Sequence, residues 1–284
     1  MEIKTVGVIG KGIMGNGIIQ VLAASGYKVL IIGGRNPAAT GSSEVIKKAF
    51  DKMVAKGRMT EEAEAAAMAN VIEATCLEDA AMCDMVIEVI SENLALKKDL
   101  YARLQTVCKP ETIFASNTSS LSLTEMACMT DRPDKFIGMH FFNPVPAMKL
   151  VEIIRSLTTS DETYKAVYDL TIGLGKTPVE VKDNPGFVVN RILIPMINEA
   201  AFVLQEGVAS AEDIDTAMKL GCNHPMGPLA LGDLIGLDTC LSIMDVLYSN
   251  FGDSKYRAAY ILRKMVNAGQ LGRKSGKGFF DYTK

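Results

Sequence analysis

Apolar residues recur through the first two thirds of the chain in short runs: Thr5–Ile9, Tyr27–Ile32, Val71–Ala74, Met85–Val89, Thr112–Ser116, Phe136–His140, Leu150–Ile154 and Pro178–Val181. Each has the length of a strand, and amphipathic segments of helical period lie between them. This alternation predicts an α/β class with a Rossmann-like, doubly wound, mostly parallel sheet flanked by helices. The segment between the second and third strands is long and predicts a helical hairpin over about 43–69. Beyond Asn184-Pro185-Gly186 the period becomes helical throughout, with runs at Phe187–Glu206, Ala211–Leu220, Leu229–Tyr248 and Tyr256–Ala268. The expected organisation is a sheet domain over 1–184 and an all-helical C-terminal domain over 185–284, the latter serving substrate binding and dimerisation.

The first strand runs into Gly10-Lys11-Gly12-Ile13-Met14-Gly15 and then into a helical run from Ile13 to Ala24. Strand, glycine turn and helix N-terminus in this order bring backbone N–H groups and the positive end of the helix dipole to a dinucleotide pyrophosphate. The second strand ends where an Asp or Glu would normally accept hydrogen bonds from the ribose 2′-hydroxyl of NAD. Gly33-Gly34-Arg35 stands there instead. Without a carboxylate, a 2′-phosphate meets no repulsion, and the Arg35 guanidinium can pair with it. NADP(H) is therefore the favoured coenzyme and NAD(H) the possible one.

Composition narrows the class without changing it. The net charge of −3 gives no reason to expect a nucleic-acid partner. No apolar stretch approaches the ~20 residues of a membrane span, and the first strand follows directly on Met1-Glu2, so a cytoplasmic location without membrane partners is expected. The cysteines at 76, 83, 108, 128, 222 and 240 lack CxxC or CxxH spacing, which argues against zinc or a disulfide framework. His140 and His224 are the only histidines, so candidates for a general base near neutral pH are few.

Ser116-Asn117-Thr118-Ser119-Ser120 follows one strand run and His140 closes another, which places both at the carboxyl edge of the sheet, where ligands of open α/β sheets bind. Taken alone, such a polar cluster is more often a turn and helix N-cap; taken with the glycine loop, it becomes a candidate substrate contact. Beside a nicotinamide, His140 is suited to take the hydroxyl proton as hydride leaves. Glu152 interrupts the apolar run Leu150–Ile154, and a buried Glu needs a partner, for which the His140 ring and an unrelated cation compete. His224 lies in a loop between helices and reads as structural. Lys48, Lys52 and Lys56 fall at i, i+4, i+8 on one helix stripe. Such a stripe is either a solvated face or a seat for a polyanion such as the phosphates of coenzyme A.

Together these segments resemble the short-chain 3-hydroxyacyl-CoA dehydrogenase family over essentially the whole chain. The resemblance rests on Gly10–Gly15, Ala115–Leu121, Gly138-Met139-His140-Phe141-Phe142-Asn143-Pro144, Pro185–Arg191, Asn223–Pro228 and Gly272–Phe279. It implies a homodimer, formed through the C-terminal domain, that interconverts 3-oxoacyl-CoA and (S)-3-hydroxyacyl-CoA, with acetoacetyl-CoA as the expected substrate and the active site between the domains. It further implies His140 as acid and base, Glu152 as its orienter, Ser119 on the substrate's 3-oxygen and Asn190 on the thioester side. Glu92, Lys97, Ser119, Asn143 and Lys274 match positions near the nicotinamide or its ribose, and Lys52 and Lys56 match coenzyme A contacts. The chain departs from the family at Gly33, where an acidic residue is usual, at Lys11, and at Val89-Ile90-Ser91. Two rival readings are a β-hydroxyacid dehydrogenase acting on a free acid and a non-catalytic nucleotide-binding protein of the same fold.

Overall fold

The structure, a computed structural model, describes residues 2–33 and 41–283, so the Gly34-Arg35 part of the coenzyme reading lies outside the described residues. The chain forms two units, Met1–Asn184 and Pro185–Lys284.

In the first unit, eight strands, β1 (Thr5–Ile9), β2 (Lys28–Ile32), β3 (Val71–Glu73), β4 (Met85–Glu88), β5 (Ile113–Ser116), β6 (Phe136–Phe141), β7 (Leu150–Arg155) and β8 (Thr177–Lys182), build one sheet. Its order is β3-β2-β1-β4-β5-β6-β7-β8. The helices are α1 (Ile13–Ala24), α2 (Ser42–Ala55), α3 (Glu61–Ala69), α4 (Leu94–Val107), α5 (Leu123–Cys128) and α6 (Asp161–Gly173). Six strands run parallel. β7 lies antiparallel to β6, and β8 parallel to β7, so the last two strands point the other way. The order reverses between β1 and β4, and such a reversal opens a ligand crevice at the carboxyl edge.

Side chains alternate between the two faces of each strand. Val6, Val8, Val29, Ile31, Ile87 and Ala115 share one apolar cluster with residues of α1 and α6. The intervening positions face the other way, and near the carboxyl edge they include Glu88, Ser116, His140 and Glu152. Register pairs Glu88 with Ser116 across β4–β5, and His140 with Glu152 across β6–β7. Four buried polar side chains thus share one face of the sheet near its carboxyl edge.

The second unit contains α7 (Val189–Gln205), α8 (Ala211–Gly221), α9 (Pro228–Ile235), α10 (Leu237–Phe251) and α11 (Tyr260–Asn267). One expectation is corrected here. The apolar run Leu229–Tyr248 is two helices, because Gly236 adopts φ 104° and ψ 124° and ends α9 before α10 begins. An L side chain rarely takes that conformation, and glycine takes it without steric cost. Ile194, Ile197, Leu237, Met244 and Leu247 form the core between α7 and α10. The tail is latched to α9 by buried Asp233, which accepts the N–H groups of Phe279 and Phe280 at 2.9 Å each and the Tyr282 hydroxyl at 3.1 Å.

Candidate active site

Three glycines of the loop between β1 and α1 have different reasons to be glycine. Gly10 has φ +117°, and a Cβ there would lie 2.5 Å from the Val89 carbonyl oxygen. At Gly15 a Cβ would collide with the Gly10 carbonyl oxygen. These two are fixed by the protein's own packing. A Cβ at Gly12 would meet nothing within 4 Å, yet Gly12 caps α1 without any side-chain bond. The first N–H groups of a helix need partners, and this end is open to an anion approaching over Gly12. The arrangement fits the pyrophosphate of a dinucleotide. Lys11 and Ile13 are exposed beside it, and Met14 is half-buried. Gly10 donates its N–H to the Ile32 carbonyl at 3.0 Å, which brings the end of β2, and buried Gly33 after it, against the loop.

At the ends of β4 and β5 a polar cluster surrounds Glu88. Its carboxylate is fully buried and accepts from Lys97 Nζ at 2.7 and 2.8 Å, Ser116 Oγ at 2.7 Å and the Ile90 N–H at 2.7 Å. Lys97, projecting from α4, is equally buried, and its ammonium also lies 3.3 Å from Glu92. Glu92 accepts the Thr118 hydroxyl at 2.9 Å and, from half-buried Ser119, the N–H at 2.7 Å and the hydroxyl at 3.2 Å. Tyr101 stands over the cluster, its hydroxyl 3.4 Å from Glu88, and burial pushes that phenol well above its usual range. Ser116–Ser120 is therefore not the helix cap it resembles; Ser122 caps α5 by accepting from the Glu125 N–H.

His140 ends β6 with 6 % of its surface exposed, and its Nδ1 lies 2.8 Å from Oε2 of Glu152, which is 1 % exposed. The antiparallel step from β6 to β7 makes this contact, since it places residues twelve apart directly opposite each other. A carboxylate can only accept, so Nδ1 carries the hydrogen, and in the neutral imidazole the lone pair falls to Nε2. The Phe142 ring packs on the imidazole with centroids 4.5 Å apart. Asn117 Oδ1 accepts the Phe141 N–H at 2.9 Å, tying the serine-rich loop to the strand that carries His140.

The remaining candidates are spread more widely. Asn143 is exposed just beyond β6. Asn190 lies in the first turn of α7 in the second unit, half-buried. Lys274, in the tail of that unit, pairs with Asp238 at 2.6 Å. His224 occupies the loop between α8 and α9 of the same unit, half-buried. On α2, Lys47 is engaged by Asp51 at 2.6 Å and Glu64 at 3.0 Å. Lys48, Lys52 and Lys56 are exposed and have no ion pair among the described residues. Lys56 lies just past the helix end, but with φ −93° and ψ 4° it continues the stripe. α2 itself starts at Gly41 without a side-chain cap; Glu73, at the end of β3, accepts the Ser43 N–H at 2.6 Å and the Gly41 N–H at 3.3 Å.

Sequence reasoning passed over Glu88, although the signal used for Glu152, a carboxylate inside an apolar run, is equally present in Met85–Glu88. No group of metal-ligating side chains occurs among the described residues, and no described helix is long and apolar enough to cross a membrane.

Two family models match the chain: 3-hydroxyacyl-CoA dehydrogenase, NAD binding domain, over residues 5–184, and 3-hydroxyacyl-CoA dehydrogenase, C-terminal domain, over residues 186–282. The chain is 53% identical over 277 residues to 3-hydroxybutyryl-CoA dehydrogenase of Clostridioides difficile, covering 98% of this chain and 99% of that protein. It is 50% identical over 280 residues to 3-hydroxybutyryl-CoA dehydrogenase of Bradyrhizobium diazoefficiens, covering 99% and 96%. The crystal structure of (S)-3-hydroxybutyryl-CoA dehydrogenase from Ralstonia eutropha superposes with a TM-score of 0.96 at 51% identity over 100% of both chains.

Proposed function

The chain belongs to the 3-hydroxyacyl-CoA dehydrogenase family, and on that premise we propose that it interconverts acetoacetyl-CoA and (S)-3-hydroxybutyryl-CoA with a nicotinamide coenzyme. The single observation that carries the reading is the buried His140–Glu152 pair at the ligand-binding edge of the sheet. When bound, the coenzyme supplies or takes up the hydride. In oxidation, Nε2 of His140 takes the proton of the 3-hydroxyl; in reduction the same nitrogen returns it. Glu152 holds the ring in the required tautomer and balances the charge the ring gains. Ser119 turns its hydroxyl to the substrate's 3-oxygen while its backbone N–H stays on Glu92. Asn190 holds the thioester side, and Asn143 and Lys274 join Glu92 and Lys97 on the nicotinamide half of the coenzyme. The uncommitted Lys52 and Lys56 receive the phosphates of coenzyme A. The exposed apolar side chains Ile192, Leu220 and Tyr260 of the second unit support a homodimer formed through it.

The proposed coenzyme is NADP(H). Gly33 offers no carboxylate at the end of β2, and Arg35 follows two residues later. The test is a steady-state assay of acetoacetyl-CoA reduction with NADPH and NADH. The expected outcome is turnover with both and a higher kcat/KM for NADPH, inverted in the Gly33→Asp/Arg35→Ala double variant. A wild type that prefers NADH at low ionic strength refutes the coenzyme choice, and absence of turnover with either refutes the activity.

A further inference from the structure

Glu88 has no role in the proton and hydride chemistry above, yet it is the most deeply committed carboxylate near the site. Its bonds belong to a closed ring. Glu88 holds Lys97 at 2.7 and 2.8 Å; Lys97 lies 3.3 Å from Glu92; Glu92 accepts the Thr118 hydroxyl at 2.9 Å. The Thr118 N–H then donates to Ser116 Oγ at 3.2 Å, and Ser116 Oγ donates back to Glu88 at 2.7 Å. Two arms therefore run from Glu88, one through Lys97 and one through Ser116 and Thr118. Both end on Glu92, which projects to the surface and holds the N–H and hydroxyl of Ser119.

The ammonium of Lys97 has three hydrogens, and the two oxygens of Glu88 and one of Glu92 provide three acceptors. Burying such a pair carries a desolvation cost that an apolar pair of similar size avoids, so stability alone gives no reason for it. What the pair supplies is a fixed charge on a rigid base. The side chains that support the groups touching a ligand commonly set their geometry to within about 0.5 Å.

We propose that Glu88 is a positioning residue for the coenzyme: through this ring it fixes Glu92, Lys97 and Ser119 at the edge where the nicotinamide half binds. The inference rests on the dehydrogenase reading above. Glu88 acts through Glu92 and Lys97, so its contribution to coenzyme binding shrinks once Glu92 is disabled, leaving the part carried by Lys97 alone.

The test is a double-mutant cycle read as the Kd of the reduced coenzyme, titrated by its fluorescence, with a thermal melt for each variant. Glu88→Gln is expected to raise Kd about tenfold in the wild type but only about threefold in the Glu92→Gln background, the non-additivity of residues in one network. Ser116→Ala, which opens only the second arm and changes little volume, should raise Kd about threefold and be silent in the Glu92→Gln background. It serves as the probe if Glu88→Gln does not fold. A purely structural Glu88 would lower Tm and leave Kd unchanged, or its effect on Kd would multiply with that of Glu92→Gln; either result overturns the inference. Wild-type turnover of acetoacetyl-CoA in the same preparations separates the two readings. An inactive wild type defeats the dehydrogenase reading, whereas an active wild type with normal binding in the variants defeats only the role of Glu88.

Discussion

Replacing Glu152 by Gln removes one charge and almost no volume, which makes it the sharpest probe of the proposed base. The Glu152 side chain is 1 % exposed and the His140 side chain 8 % exposed, with Nδ1 and Oε2 2.8 Å apart. With charge centres about 4 Å apart and an effective dielectric near 20, the carboxylate stabilises an imidazolium by about 4 kcal/mol. If the proton is about half transferred in the transition state, about 2 kcal/mol of that reaches the barrier, a factor of roughly 30 in rate. Full transfer gives roughly 1000-fold by the same conversion. A Gln that turned its amide N–H₂ toward Nδ1 would impose the other tautomer and extend the loss toward about 10⁴-fold. The assay is kcat for (S)-3-hydroxybutyryl-CoA oxidation at saturating oxidised coenzyme, the direction in which His140 gains the proton, with the Kd of reduced coenzyme and Tm measured on the same preparations. The expected result is kcat reduced 30-fold or more, with coenzyme Kd within about twofold of wild type, because Glu152 faces the imidazole and not the glycine loop. A kcat within threefold of wild type, in a protein that melts normally, refutes the proposed role of the pair.

The glycine loop separates packing from ligand contact: Gly12→Ala should leave Tm nearly unchanged and raise coenzyme Kd at least ~10-fold, whereas Gly15→Ala should lower Tm by several degrees through its clash with Gly10. Equal melting losses for the two would contradict this division. Lys52→Ala/Lys56→Ala should raise KM for acetoacetyl-CoA about tenfold with kcat unchanged, and raise it less for a truncated pantetheine thioester; equal effects on both substrates would assign these lysines to the fold. The Ser43 N–H holds the Glu73 carboxyl below the usual carboxylate range. A depressed folded-state value contributes stability above the unfolded carboxyl pKa and loses it as pH falls through the folded one. Glu73→Gln should therefore cost about 1 kcal/mol at pH 7, the worth of a helix cap, with the gap in Tm closing as pH falls below the usual carboxylate range and through the lowered folded-state value; a gap that stays constant through that fall would rule out the charge as its origin.

Much of the first unit was legible along the chain. The eight apolar runs became the eight strands, and the strand, glycine turn and helix from Thr5 to Ala24 folded where the pattern places them. This succeeded because strand length, helical period and glycine placement are local, set by residues within one or two turns of each other. His140 and Glu152 could be picked out for the same reason: each is a polar residue where its neighbours are apolar. Their contact could not be derived locally. It depends on β7 turning antiparallel to β6, and an apolar strand buried on both faces reads the same in either direction. Gly236 shows the opposite failure, since the apolar period continues across it and only the backbone at φ 104° separates α9 from α10. Glu88 is the clearest case of what tertiary structure decides. Sequence places it in a strand, but sheet order sets Ser116 beside it and the return of α4 brings Lys97 onto its carboxylate. Residues nine and twenty-eight positions apart meet there because a buried charge must find its partner in three dimensions, and hydrophobic periodicity carries no record of which partner that is.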